Sequence, residues 1–164
     1  MNQPAVDQYV DNLKSCPPST DVENDNQELM AIINRQLPLI IAAVKECDST
    51  QRSLKWESIV TEWTEDVQYV CQSDTLEPFG GTATGRNDVR KKIEQNFLAL
   101  EDQRPEVLKA PEIGSNSVTL HIREEGVLRA TQERYVITGS QSFEFKENRI
   151  SRMELLIQSH ETIN

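Results

Sequence analysis

The sequence predicts an α+β fold in which helices pack on one face of a curved antiparallel or mixed sheet. Apolar residues in the first hundred positions recur at spacings of three and four, which is the period of amphipathic helices. Beyond residue 103, four segments alternate apolar and polar residues and are separated by short polar breaks, as in an antiparallel meander. One more alternating segment lies between the second and third helices, so the regular strand-helix alternation of a parallel α/β fold is absent.

The elements follow in a simple order along the chain. Residues 1–28 carry six acidic residues and one basic residue, and we expect a flexible acidic arm. A single domain over 29–158 and a polar tail over 159–164 complete the predicted organisation, and His160 in that tail is assigned no role. The helices are predicted over 27–46 with a bend at Pro38, over about 50–63 with Ser49 or Thr50 as N-cap, and after Gly85 with Asn87 as cap. The strands are predicted over 66–71, 106–110, 117–125, 134–145 and 149–157.

The composition indicates one domain and excludes several classes of function. The 164 residues include 17 Lys and Arg against 27 Asp and Glu, a net charge of -10, which argues against binding to a phosphate backbone. Three distant cysteines without a Cys-x-x-Cys pair, and two histidines without ligand spacing, predict reduced thiols and no metal site. Residues 37–44, the most apolar stretch, are too short to span a bilayer. We expect a cytoplasmic protein that uses no cofactor and binds neither nucleic acid nor membrane.

Three motifs in a fixed order resemble a known family. They are WTEDVQY at 63–69, PFGG at 78–81 followed by GRNDVR at 85–90, and FEFKENRI at 143–150. Together they resemble SnoaL-like members of the nuclear-transport-factor-two-like superfamily over residues 50–157. The resemblance implies a cone, in which a strongly bent sheet is wrapped by about three helices around an apolar cavity. It also implies a homodimer formed through the outer face of the sheet.

The catalytic positions of two branches of this superfamily were compared with the sequence. In the ketosteroid isomerase relatives, the general base would fall at Cys71 and the acidic hydrogen-bond donor near Gln141, so steroid isomerisation is not expected. The limonene epoxide hydrolase relatives use an Arg-x-Asp pair, which Arg123 and Glu125 resemble, and a second acid that falls on Leu155. The resemblance therefore keeps two of the three polar positions of that branch.

His121, Arg123 and Glu125 share one face of a predicted strand, which leaves two interpretations open. They could form an acid/base cluster inside the cavity, or Val118, Leu120 and Ile122 could face the cavity while the polar set faces solvent or a dimer partner. The candidate ligand-binding residues are Trp63, Tyr69, Cys71, Phe79 and Gln141. Phe79 would act as a lid beside a flexible loop at 80–87, although aromatic residues at these spacings are more often core.

Two functions follow from these residues. The first is a small-molecule pocket protein that acts as a cofactor-independent isomerase, cyclase or hydrolase on an apolar metabolite. The second is a non-catalytic module that binds a ligand or dimerises through its sheet. The direction in which the polar face of the strand at 117–125 points should distinguish the two.

Overall fold

The structure, a computed structural model, describes residues 23–73 and 80–163. Within these ranges the chain forms three helices and seven strands, so the predicted α+β fold is confirmed. Their order is α1 (Glu23–Val44), α2 (Ser49–Val60), β1 (Trp63–Gln72), β2 (Gly81–Thr84), α3 (Arg86–Leu98), β3 (Leu100–Val107), β4 (Glu112–Ile113), β5 (Ser117–Leu128), β6 (Arg134–Lys146) and β7 (Arg149–Ile163).

The helices occupy the predicted segments with different ends. Helix α1 begins at Glu23, so residues 23–28 of the predicted arm are helical, while residues 1–22 lie outside the described part of the chain. Asp48 caps α2 by accepting a hydrogen bond from the backbone of Gln51 at 2.9 Å, in place of the two predicted residues. Gly85, with a φ of 86°, occupies the N-cap of α3 instead of Asn87.

The seven strands form one mixed sheet with the order β2-β1-β7-β6-β5-β3, and β4 pairs with β5. Strands β1 and β7 are parallel and the other neighbouring pairs are antiparallel. Two predictions about irregular segments were wrong. Residues 81–84, predicted as a loop, form β2, and residues 159–163, predicted as a tail, continue β7.

One face of the sheet packs against the helices, and we call it the inner face. Directly paired residues of antiparallel strands lie on the same side, so the register identifies this face. On β5 it carries Val118, Leu120 and Ile122, which are almost fully buried and belong to the same core as the buried residues of the helices. The sheet therefore covers its core with one face and presents the other to the outside.

An irregularity in the pairing of β6 and β7 changes the direction of side chains along β7. Between β6 and β7, Thr138 pairs with Ser159 while Gly139 pairs with Ile157, so Gln158 is an extra residue in β7. Such a β-bulge reverses the side to which the following residues point. Residues after the bulge therefore face the side opposite to the one that strict alternation predicts.

A buried polar contact joins α1 to the corner between α2 and β1. Trp63, predicted on the second helix, is the first residue of β1, and its ring packs edge-on against Trp56 at 6.1 Å between centroids. The Trp63 indole donates to Gln36 Oε1 at 3.0 Å, and the Gln36 amide donates to Glu62 Oε2. None of the described helices is long and apolar enough to cross a membrane.

Candidate functional site

The polar residues singled out on β5 lie on the outer face of the sheet. His121 Nε2 is 3.1 Å from Glu112 Oε1, and Arg123 donates to Glu125 beside it on the same strand. The hydrogen bond and charge of Arg123 lower the pKa of Glu125, as they do for ordinary surface pairs. The arrangement is that of the second interpretation, in which the apolar residues of β5 face inward.

The neighbouring residue Glu124 points the other way, into the core side of the sheet. Its register partner on β6 is Ile137, and it follows Ile122 on the inner face. Tyr135 Oη donates to Glu124 Oε1 at 2.6 Å, and Gln103 Nε2 approaches the same oxygen at 3.4 Å. Burial raises the pKa of Glu124, while the two hydrogen bonds oppose that rise. A carboxyl group is thus held inside the cone, next to apolar side chains.

Tyr135 reaches Glu124 because a glycine opposite it leaves room for the ring. Gly126 is its register partner on β5, and a Cβ at Gly126 would lie 2.6 Å from Tyr135 Oη and 2.8 Å from Cε1 and Cζ. The ring therefore lies directly against the backbone of β5. Burial and the adjacent Glu124 charge raise the pKa of Tyr135, so the phenol keeps its proton and remains a donor.

A second phenol faces the same interior from β1. Asn96 of α3 donates through Nδ2 to Tyr69 Oη at 3.0 Å, and Asn96 Oδ1, although buried, has no partner among the described residues. Burial raises the pKa of Tyr69; Cys71 and, to the smallest extent, Glu124 add to that rise, while the hydrogen bond from Asn96 opposes it. A ligand or a water molecule could donate the hydrogen bond that Asn96 Oδ1 lacks.

The β7 bulge brings His160 to the same face. His160 pairs with Ile137, which also pairs with Glu124, so the three residues form one row across β7, β6 and β5. Beyond Leu156 no described residue of β1 pairs with β7, which places this row at the open end of the sheet. His160 Nε2 is buried and has no hydrogen-bond partner within the described ranges.

The other predicted ligand-binding residues lie in different places. Tyr69, Cys71 and Gln141 are on the inner face, where Leu155 pairs with both Cys71 and Gln141. Burial raises the pKa of the Cys71 thiol to about 11. Trp63 is fully buried beneath the helices, and Phe79 falls outside the described part of the chain.

Two open hollows among the described residues lie near β2 and the start of α3. The first, about 450 Å³, is lined in part by Thr82, Asp88 and Lys92, and the second, about 480 Å³, by Glu65 and Arg86 among others. Neither includes Glu124 or its partners, and the apolar cavity inside the cone stays a prediction. In the described ranges no group of three or more His, Cys, Asp or Glu side chains could hold a metal ion.

The sequence analysis selected neither Glu124 nor His160 as a site residue, and only Glu124 could have been found from the sequence. The inward series of β5 continues from Ile122 to Glu124 and then Gly126, so the same alternation that identified the strand places an acid on its apolar face. His160 required knowledge of the pairing between β6 and β7, because the bulge reverses its direction.

The mixed seven-stranded sheet and the three helices match the NTF2-like fold, which is the fold that the motifs predicted. Solved structures of that class superimpose on most of the chain. A protein described as a SnoaL-like polyketide cyclase from Jannaschia sp. CCS1 aligns with a TM-score of 0.65 and 9% identity, over 85% of this chain and 92% of that one. An NTF2-like protein from Anabaena variabilis gives 0.60 and 12%, over 87% and 96%.

A third neighbour is the epoxide hydrolase/cyclase-like enzyme SalBIII, described with pyran ring formation in the polyether salinomycin. Its TM-score is 0.56 at 17% identity, over 84% of this chain and 97% of that one. No family model and no curated protein matches the sequence. At these identities the comparisons establish the fold.

Proposed function

We propose that the protein is a small-molecule pocket protein that carries out cofactor-independent acid-base chemistry on an apolar metabolite, with Glu124 as the group that accepts and returns the proton. The observation that carries this proposal is the carboxyl of Glu124 on the inner face, held by Tyr135 at 2.6 Å. Isomerisation, cyclisation and hydrolysis all require such a proton transfer.

The surroundings of Glu124 suit a general base. Ile122 and Ile137 flank it with apolar surface, and burial moves its pKa upward, toward the pH at which a base transfers protons most effectively. Tyr135 holds one carboxylate oxygen in place. Tyr69 accepts a hydrogen bond from Asn96, so its own hydroxyl proton can be donated to an oxygen on which negative charge develops.

The neighbours of known structure support the choice of reaction classes. Two of them are described as a polyketide cyclase and as an epoxide hydrolase/cyclase-like enzyme, and both share the fold of this chain. Their reactions motivate a search among cyclic and epoxide-bearing apolar compounds. The residues that would act in this chain are argued from its own geometry.

The first experiment tests proton abstraction without knowledge of the natural substrate. Nitrobenzisoxazole is a suitable probe: a base removes the proton on its ring carbon, the C–H electrons complete the nitrile triple bond, and the N–O bond breaks. The ring opens to a single product, a coloured cyanonitrophenolate. We expect turnover whose rate increases with pH as Glu124 ionises, with a midpoint above the ordinary carboxyl value of 4.5. Glu124→Gln should lower the rate by about 10²- to 10⁴-fold.

Glu125→Gln is the matched control because it makes the same change one residue away on the opposite face of β5. This variant should leave the rate unchanged. Loss of turnover in Glu125→Gln with retention in Glu124→Gln would return the catalytic role to Glu125, one of the three candidates named from the sequence. Equal rates in the wild type and both variants would refute a role for either carboxyl group.

The alternative function, a module that dimerises through its sheet, is favoured by the outward direction of His121, Arg123 and Glu125. Light scattering on the purified protein measures its oligomeric state, and Arg123→Glu should dissociate a dimer that uses this face. A dimer that survives the substitution uses another surface. A thermal-shift screen of apolar compounds would identify a ligand in either case, since a ligand bound only by the folded protein stabilises it.

A further inference from the structure

The buried, unpartnered nitrogen of His160 is the strongest feature that the proposed chemistry leaves unused. Buried side-chain nitrogens nearly always have a hydrogen-bond partner, because leaving one unsatisfied destabilises the fold. His160 Nε2 has none within the described ranges. The chain has two histidines, and the other, His121, lies on the outer face beside Glu112.

The backbone of β7 determines the face of the sheet to which the His160 side chain points. Met153, Leu155 and Ile157 alternate on the inner face of β7, so without the bulge His160 would point outward. The extra residue at Gln158 turns it inward. β-Bulges are known to redirect side chains next to functional sites.

Gly139 makes this bulge possible on the neighbouring strand. A Cβ on Gly139 would lie 2.1 Å from the carbonyl oxygen of Leu156, a distance that no larger residue could tolerate without moving the backbone. The close approach of β6 and β7 that sets the direction of His160 thus depends on a glycine in β6.

We propose that His160 Nε2 binds the polar oxygen of the ligand at the open end of the cone. The ligand would be an apolar molecule carrying a hydroxyl or carbonyl group, bound between His160 and Glu124. Ile137, which lies between them in the row, is only 2% exposed, so binding requires the side chains at this end to move apart. The strand spacing places these two residues about 10 Å apart at their Cα atoms, which is the span of a single-ring compound together with its side-chain contacts. This inference rests on the proposed function, because it adds a recognition group to the same pocket.

A pair of ligands that differ in one group tests the inference directly. Para-cresol and para-xylene have nearly the same shape, but only the cresol carries a hydroxyl. We expect the wild-type protein to bind para-cresol more tightly, and His160→Leu to reduce that preference by about three- to tenfold, the range of one hydrogen bond. His160→Gln should restore part of the preference, because the Gln amide can still form a hydrogen bond. His121→Leu, the matched change on the outer face, should preserve it.

A second measurement follows ligand binding to the wild-type protein, and a variant serves only to assign the signals. After labelling histidine with ¹⁵N, the imidazole signals of the two residues are distinguished with the His121→Leu variant. Para-cresol should shift the Nε2 signal of His160 more than para-xylene does, and should leave His121 unchanged. An unchanged His160 signal, or an unaltered cresol preference in a folded His160→Leu protein, would overturn the inference.

The two proposals fail in different ways. If Glu124→Gln abolishes turnover of nitrobenzisoxazole while His160→Leu leaves the cresol preference intact, the general base stands and the role of His160 is refuted. If the cresol preference depends on His160 but the wild type does not turn over the probe, the protein recognises ligands at this end without the proposed chemistry.

Discussion

Replacing Gly126 with Ala should destabilise the protein strongly, although Ala is small and Gly is usually unfavourable within a strand. The new methyl group would lie 2.6 Å from the hydroxyl oxygen of Tyr135 and 2.8 Å from two of its ring carbons. Tyr135 is only 1% exposed, so its side chain cannot rotate into solvent. The ring must shift, and its hydrogen bond to Glu124 must lengthen or break. Overpacking costs about 1–3 kcal/mol and a lost hydrogen bond to a charged group about 1.5–3 kcal/mol, so we expect a loss of about 2.5–6 kcal/mol.

Urea unfolding followed by tryptophan fluorescence measures this loss. With a slope of about 2–3 kcal/mol per molar urea, the midpoint should fall by about 1–3 M. In a Tyr135→Leu background the same Gly126→Ala change should be nearly neutral, because the ring that it displaces is gone. Gly114→Ala is a useful control, since its Cβ would meet the Ser117 hydroxyl, which can rotate away. An equally large loss in the Tyr135→Leu background would show that the ring contact is not the cause.

Three further predictions follow from buried groups elsewhere in the chain. Because the folded pKa of Glu124 is raised, the native state binds its proton more tightly than the unfolded state does. The resulting stabilisation of the native state is present below about pH 4.5 and is lost as the pH rises through the folded pKa. The stability of Glu124→Gln relative to the wild type should therefore increase with pH over that window, by at most about 1.4 kcal/mol per pH unit, and urea titrations that show no such increase would contradict the raised pKa. Cys71, with a pKa of about 11, should be alkylated by iodoacetamide at pH 8 far more slowly than the exposed Cys47, as peptide mass spectrometry would show, and equal rates would mean that Cys71 is accessible. Gln36→Ala removes the acceptor of the buried Trp63 indole and should lower stability by about 2–4 kcal/mol in the same urea assay, whereas a loss below about 0.5 kcal/mol would make that contact dispensable.

Much of the fold could be predicted because the helical and strand patterns of apolar residues are regular and extend over many positions. The alternation of Val118, Leu120 and Ile122 identified β5 but left open which of its faces points inward, and the apolar spacing of residues 29–44 identified α1. The short strand β2 and the end of β7 were not predicted. Residues 81–84 contain one apolar residue, and residues 158–163 lie beyond the pairing with β1 and carry little apolar alternation.

The site was harder to predict because sequence patterns indicate the side of a strand and not what lies across from it. Glu125 was selected because it shares a face with Arg123, whereas Glu124 between them was not considered, although it belongs to the inward series by position alone. The contact that holds Glu124 joins it to Tyr135 over Gly126, which is a matter of pairing register between β5 and β6. The direction of His160 depends on one inserted residue, and no local pattern records it.

The position of β7 in the middle of the sheet also bears on how the chain reaches its native state. Strands β5, β6 and β7 can assemble through short connections, but β1 must find β7 across 84 positions, as at the pair Gln68 and Arg152. Contacts between such distant segments form late, because closing the long intervening loop costs conformational entropy before the strand pairing contributes any favourable free energy. Kinetic measurements should therefore detect a partly assembled species in which the meander is already protected from hydrogen exchange while β1 and β2 still exchange freely.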